Sequence, residues 1–277
     1  MSEDKDNTFD LLSKQFNVDD LSHDEKKIKS KVLLFTNNIL TSWKKGKDYD
    51  FVVSLSNINK DTAKNAKVQT YYNTIKGDYW VCRYSTHSEI SESMYKEKII
   101  KYLNGSNFTT DNVKNDLWEL QDPAFRIKME KNYIHTIKDC KILDTSGGWV
   151  LSRMLYSFGK PLNDRVFYEW VYIIKPYRVT TKTIPEEQKE EEISFVISLP
   201  AKYNNKENND NKNAVRGIYC SVERLSYNYK TKQLKWLMCT TSDAGGYLPK
   251  WLQNSMISKS VAKDVPLFLD WVVNYLE

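Results

Sequence analysis

The chemistry in this chain is easiest to find where charge recurs at helical spacing. In "LQDPAFRIKMEKNYI", Arg126 and Glu130 stand four residues apart, which places them on one face of a helix. A guanidinium offers a planar fork of donors to a phosphate or carboxylate, and a carboxylate can neutralise a buried cation. The same spacing also describes a solvated surface pair of little energetic consequence. Arg153 interrupts the apolar stretch "GWVLSRMLY" and either points to solvent or supplies a charge to an interior. Arg165 opens "RVFYEWVYII" beside Asp164, as a loop-edge residue or as a ligand contact. Tyr133, Trp149, Tyr168, Trp170, Tyr219 and Trp236 are large aromatic residues in the same stretches. Their faces suit a quaternary ammonium, although aromatic residues also dominate ordinary cores.

Other chemistries find few residues. The three histidines, His23, His87 and His135, have no neighbouring Cys, Ser or acid at the spacing of a zinc site or a catalytic triad. Neither a phosphate-binding P-loop nor a GxGxxG turn is present. Cys82, Cys140, Cys220 and Cys239 are far apart and form no CxxC pair, so buried free thiols are expected. The net charge is a mild +5 without a basic stripe, which argues against nucleic acid. An acidic start, "MSEDKDNTFD", and the lack of a long apolar run predict a cytoplasmic chain.

These residues must be positioned by regular elements. "HDEKKIKSKVLLFTNNILTSW" reads as an amphipathic helix, with Ile28, Val32, Phe35, Ile39 and Trp43 at three- and four-residue steps. Three strands are expected in "DFVVSLS", "KVQTYYNTI" and "DYWVCRYST", the last two joined by a "KGD" turn. A helix over 91–105 stops on Gly105. The segment from Thr109 to Ile134 is expected to be two helical pieces separated by Pro123. Six alternating stretches then follow from residue 133 to Asp243, an antiparallel meander. "IPEEQKEEE" is expected as a solvated acidic loop, and 202–213 as a disordered insert. In "RVFYEWVYI", both alternating faces carry large apolar groups. Either a sheet covered on both sides or a curved sheet lining a cavity accounts for that.

The last segment, "DAGGYLPKWLQNSMISKSVAKDVPLFLDWV", begins with Gly245 and Gly246 and continues as a long helix. Leu248, Leu252, Met256, Val261, Val265, Phe268, Leu269, Val272 and Leu276 form a wide apolar stripe, broadened by Trp251, Ile257 and Trp271. Its spacing fits first a core-packing helix after a glycine turn, with a lid on a glycine hinge as the alternative.

This closing segment resembles the C-terminal motif of START (StAR-related lipid-transfer) domains. Asp243, Gly245, Gly246, Leu248, Pro249, Trp251, Leu252, Asn254, Val265, Pro266, Phe268 and Leu269 carry the resemblance. Residues 120–134 are similar to the family's aromatic-Arg segment with an acid four residues on, and 156–170 to its Tyr-x-x-x-Pro strand. The phosphatidylcholine-transfer type is the most similar, and "WVCRYSTHSE" also looks like a fungal START-like family of undescribed function. Val166 stands where that pattern has an acid, and Met129 where it has Trp.

The resemblance implies an α+β helix-grip fold, a curved antiparallel sheet of about nine strands around the long C-terminal helix. Residues 1–45 would be a leader and amphipathic helix, and 46–277 the lipid-binding domain. It further implies a monomeric carrier of one glycerophospholipid in an internal tunnel, with no cofactor, no metal and no catalysis. Phosphatidylcholine is the favoured cargo and a membrane surface the transient partner. Arg126, Glu130, Arg153, Arg165, the six aromatic residues and Trp251, Leu252 and Met256 would contact it, with Gly245 and Gly246 as hinge. Two alternatives stand beside this: a lipid-gated sensor, and a cyclase-like enzyme of the same fold using His135.

Overall fold

Side-chain alternation along the long strands decides the architecture. The computed structural model describes residues 11–53, 64–109, 117–159, 163–178, 191–203, 214–247 and 249–274. The strands are β1 (Lys44–Val53), β2 (Lys64–Ile75), β3 (Asp78–His87), β4 (Ser106–Phe108), β5 (Trp118–Leu120) and β6 (Ile137–Ser146). They continue as β7 (Trp149–Tyr156), β8 (Arg165–Arg178), β9 (Glu191–Pro200), β10 (Val215–Arg216), β11 (Ile218–Asn228) and β12 (Gln233–Asp243). The main sheet runs β1-β2-β3-β12-β11-β9-β8-β7-β6 with every neighbouring pair antiparallel. The short β10 adds a parallel pairing, to the start of β8. At the β2–β3 turn, Lys76 and Gly77 have φ of 49° and 88°, the left-handed pair that matches strand twist in a two-residue hairpin.

One face of the sheet is sealed by the N-terminal part of the chain. Helix α1 (Glu25–Asn37) starts on Asp24, whose carboxylate accepts from the amides of Lys26 and Lys27 at 2.9 and 3.2 Å. Its buried Ile28 and Val32 join the core containing Trp149, Trp170, Tyr172 and Ile197. A short α2 (Ile39–Ser42) follows and buries Ile39 in the same core. The leader is stitched down as well: the Phe16 amide donates to Pro200 O and the Lys202 amide to Phe16 O, both at 2.8 Å.

The other face holds the remaining helices. Met94–Asn104 is wound as a π-helix and ends on Gly105 at φ 87°. A Cβ on Gly105 would lie 3.3 Å from the Arg126 side chain, so glycine there lets helix α3 (Pro123–Tyr133) approach closely. Helix α4 (Lys250–Asn274) buries Ala262, Val265, Phe268, Trp271 and Val272 against Val68, Leu225, Tyr227 and Trp236. Phe268 meets Trp236 and Tyr133 edge-on, with centroids 5.5 and 5.2 Å apart. Only the second half of α4 grips in this way, because no residue of Lys250–Ser260 is fully buried. Pro266, within that gripping half, lacks the amide that would bond the preceding turn.

The architecture is therefore the expected helix-grip arrangement, with both readings of the two-faced strands holding at once. Three expectations are corrected. Trp118–Leu120 is strand β5, paired with Ser106–Phe108, and not the end of a helix; residues 110–116 lie outside the described residues. Pro123 begins α3 and splits nothing, with Asp122 as cap. Glu191 and Glu192, read as loop, are buried in β9, where Glu192 accepts from Trp118 Nε1 and the Tyr229 hydroxyl. The rest of the acidic stretch, residues 204–213 of the insert, Leu248 and Leu276 lie outside the described residues. Among the described residues, no helix is long and apolar enough to cross a membrane.

Candidate functional site

A cavity of about 220 Å³ lies between the inner sheet face, α3 and the middle of α4. Each strand contributes by its period of two: Phe167, Glu169 and Val171 from β8, Tyr219, Ser221 and Glu223 from β11, Trp236, Met238 and Thr240 from β12. The roof is Ile257, Ser260, Val261 and Asp264 of α4, and α3 supplies Arg126, Ile127, Glu130 and Tyr133. The walls thus mix apolar and hydroxyl side chains, with charges projecting from the floor and the roof.

Those charges form an alternating chain. Arg83 Nη2 donates to Glu223 Oε1 at 3.0 Å, and Trp236 Nε1 donates to the same oxygen at 2.7 Å. The other Glu223 oxygen lies 3.9 Å from Arg126 Nη2. Arg126 Nη1 in turn reaches Glu130 Oε2 at 3.4 Å, while its Nε donates to Leu103 O at 2.8 Å. Arg126 is thus held by Leu103 O and placed between the carboxylates of Glu130 and Glu223. Burial raises the Glu130 carboxyl above its usual range, Arg126 offsets part of this, and Glu223 adds to it.

Two further carboxyls face the cavity. Glu169 is pushed up to about 8, by burial first and then by Glu130, against the pull of the Ser198 hydroxyl and Arg126. Asp264 is pushed up to about 7, mainly by burial, with Arg83 lowering it and Glu130 and Glu223 raising it. Tyr219 and Tyr156 are held protonated by burial and by Glu169 and Glu130 nearby.

Of the residues singled out from the sequence, the structure gathers Arg126, Glu130, Tyr133, Tyr219 and Trp236 around this cavity. The others lie elsewhere. Arg153 belongs to the opposite strand face, where it is buried in an ion pair with Asp139 at 2.7 Å. Arg165 Nε donates to Ala244 O at 2.7 Å and its Nη1 to Asn163 O, which fastens the turn before α4 to the start of β8. Trp149 and Trp170 sit in the core under α1, and Trp149 Nε1 donates to Ser22 O. Tyr168 packs on Tyr203 with centroids 5.0 Å apart. Trp251 and Met256 are 71% and 58% exposed, and Leu252 is half-buried outside the cavity wall. Trp149, Tyr168 and Trp170 alternate as expected, on the strand face whose core includes α1.

Gly245 and Gly246 both take left-handed φ, 65° and 69°. A Cβ on Gly245 would fall 2.5 Å from Arg216 O, so this glycine is required by a tight turn as well as by any motion. His135 is exposed and does not line the cavity. The described residues hold no group of three or more His, Cys, Asp or Glu able to bind a metal.

Arg83, Glu169, Glu223 and Asp264 were missed in the sequence. The signal was available: Glu169 shares its face with Phe167 and Val171, and Asp264 falls on the apolar stripe between Val261 and Phe268. A charge on a buried stripe marks a site or a structural pair.

Comparison with known proteins agrees with this architecture. Human StAR-related lipid transfer protein 5 superposes with a TM-score of 0.57 at 11% identity, over 91% of this chain and 96% of that one. Human STARD10 superposes with a TM-score of 0.53 at 14% identity, over 91% of this chain and 84% of that one. At such identities the likeness establishes a START-like helix-grip fold. No curated protein matches the sequence. Residues 80–272 match the family described as "Protein of unknown function (DUF3074)", and by that match over most of its length the chain belongs to this family.

Proposed function

We propose that this protein binds a glycerophospholipid, phosphatidylcholine for preference, and carries it between membranes without chemical turnover, as a cytoplasmic monomer. The observation that carries the reading is the cavity itself, lined by apolar, hydroxyl and charged side chains between the sheet and α4. Names of the two human structures add weight, since both belong to lipid-transfer or related START proteins. Burying acyl chains stabilises the complex by about 0.8 kcal/mol per methylene.

Volume constrains how this works. Sites for drug-sized ligands run about 300–1,000 Å³, and a two-chain lipid is larger still. At about 220 Å³ the cavity takes a head group, so admission of the chains requires α4 to swing outward. Its first half is the less tightly held part, because Lys250–Ser260 contributes no fully buried residue and packs chiefly through Ile257 on Val81 and Met238. Exposed Tyr247, Trp251 and Met256 at that end, with Lys250, Lys259 and Lys263, suit contact with an anionic membrane.

The same small volume favours a second reading, in which a lipid is held as a signal and not exchanged. Lipid extraction of the purified protein followed by mass spectrometry, paired with vesicle-to-vesicle transfer, separates the readings. One phospholipid per chain with transfer within minutes is expected. Binding without exchange selects the sensor. Protein recovered empty, which takes no lipid from vesicles, overturns both.

A further inference from the structure

The titratable groups of the cavity are not all paired. Arg83, Glu223, Arg126 and Glu130 alternate at 3.0, 3.9 and 3.4 Å, two cations against two anions. Glu169 of β8 and Asp264 of α4 line the same space, and among the described residues neither is in an ion pair. Glu169 is 6% exposed, and a buried carboxylate without a counter-charge is strongly disfavoured. Independently, Arg83 is 2% exposed and lines the cavity with its Nε and Nη1 buried and unpartnered. Buried donors of this kind call for an acceptor. The empty partners are thus one cation and one oxygen-rich acceptor.

We propose that Glu169 and Asp264 are the cation-recognition pair of this cavity, taking the terminal ammonium of a zwitterionic phospholipid whose phosphate oxygens accept from Arg83. This rests on the lipid-binding reading above and assigns its head-group chemistry to residues other than Arg126 and Glu130, which already satisfy each other. Glu169 stands on the sheet and Asp264 on α4, so the cavity offers a cation one carboxyl on its floor and one on its roof.

Protons report on this. Glu169 faces Glu130 and Arg126 of α3, Ser198 of β9, Tyr156 of β7 and Tyr219 of β11. Asp264 faces Arg83 of β3, Glu130 and Tyr133 of α3, Tyr156 of β7 and Glu223 of β11. Burial and like charges keep both carboxyls partly protonated near neutral pH in the empty cavity. An ammonium reverses that balance, so loading expels protons.

The test is calorimetric titration of the full chain with dihexanoyl-phosphatidylcholine and dihexanoyl-phosphatidic acid in buffers of different ionisation enthalpy. Phosphatidylcholine binding is expected to release protons at pH 7 and to tighten between pH 6 and 8, up to about tenfold per pH unit for one fully coupled proton. Phosphatidic acid, lacking the ammonium, is expected to bind at least tenfold more weakly and to release none. Glu169→Gln and Asp264→Asn, which keep side-chain shape, each reduce the proton release and the preference. Equal binding of both lipids without proton release overturns the pair while leaving lipid binding intact. Failure of both lipids to bind overturns the underlying reading as well.

Discussion

The Arg83 guanidinium lies 4.2 Å over the Trp236 ring, and both residues donate to the same oxygen of Glu223. A cation, an aromatic face and a carboxylate thus share one contact on the floor of the cavity. Glu223 is the pivot, because its second oxygen also faces Arg126. Removing it strands the Arg83 guanidinium in an interior that cannot hydrate it and takes away one of the two carboxylates beside Arg126.

Glu223→Ala is therefore expected to cost roughly 3–5 kcal/mol, the range for breaking a buried ion pair by deleting one partner. Glu223→Gln keeps an acceptor for Arg83 and Trp236 and is expected to cost less. Chemical denaturation of the two variants measures the difference. Equal stability of Glu223→Ala and the parent protein would show that these arginines are solvated and not locked by Glu223.

Stability should also depend on pH in a particular direction. Glu169 and Asp264 rise from ordinary values of 4.5 and 3.8 to about 8 and about 7 on folding. The folded state then holds protons that the unfolded chain has lost, so stability falls as pH rises through this interval. His87 acts oppositely: burial lowers it from 6.5 to about 4, which favours the folded state as pH rises to 6.5. The two effects oppose each other below pH 6.5, and only the carboxyls act between about 6.5 and 8. In that window the ligand-free protein is expected to lose on the order of 2 kcal/mol. The Glu169→Gln, Asp264→Asn double variant should be flat there. Denaturation midpoints at pH 6.5, 7.2 and 8 check it, and a parent protein that gains stability over the same range would contradict it.

The sheet and α4 were legible in sequence because their periods run long enough to be unambiguous. β8 alternates over fourteen residues and α4 spans twenty-five. β5 was not legible: three residues, Trp118–Leu120, carry no period, and their partner Ser106–Phe108 is just as short and about ten residues earlier. Arg126 and Glu130 could be found because four residues separate them on one helix. Glu169 pairs with nothing near it in sequence, and its neighbours Tyr168 and Trp170 drew attention to the wrong face. Which face is interior is decided by α1, more than a hundred residues earlier, and alternation alone carries no such information.

The turn before α4 separates strain from motion. Gly245 has φ 65°, its amide donates to Asp243 Oδ1 at 2.8 Å, and a Cβ would meet Arg216 O. Gly245→Ala is expected to lose stability beyond the roughly 1–2 kcal/mol of a left-handed alanine. At Gly246 a Cβ meets only Val215 Cγ1 at 3.5 Å and Cγ2 at 3.8 Å, ordinary contact, so Gly246→Ala carries the conformational cost alone. Proline is uninformative at either position, since its ring fixes φ near −65°. If the turn is a hinge, Gly246→Ala should remain folded at 25 °C and slow lipid transfer several-fold. Transfer that is slowed no more than the folded fraction is reduced would remove the hinge from the mechanism.

The exposed end of α4 gives the last prediction. Trp251 and Met256 are largely in solvent, in a part of the helix that leaves the sheet uncovered by any buried side chain. Large apolar groups at such a site contribute nothing to the core, so Trp251→Ala is expected to change stability by less than about 0.5 kcal/mol. Their use is at a membrane surface, where an aromatic ring and nearby lysines bind together. Trp251→Ala with Lys250→Ala should therefore weaken binding to vesicles containing anionic lipid, and more so at low salt than at high. Sedimentation with vesicles at two ionic strengths measures this. Unchanged vesicle binding, with cargo affinity also unchanged, would mean that the protein meets its membrane through another face, and the proposed outward swing of α4 would lose the surface that is meant to trigger it.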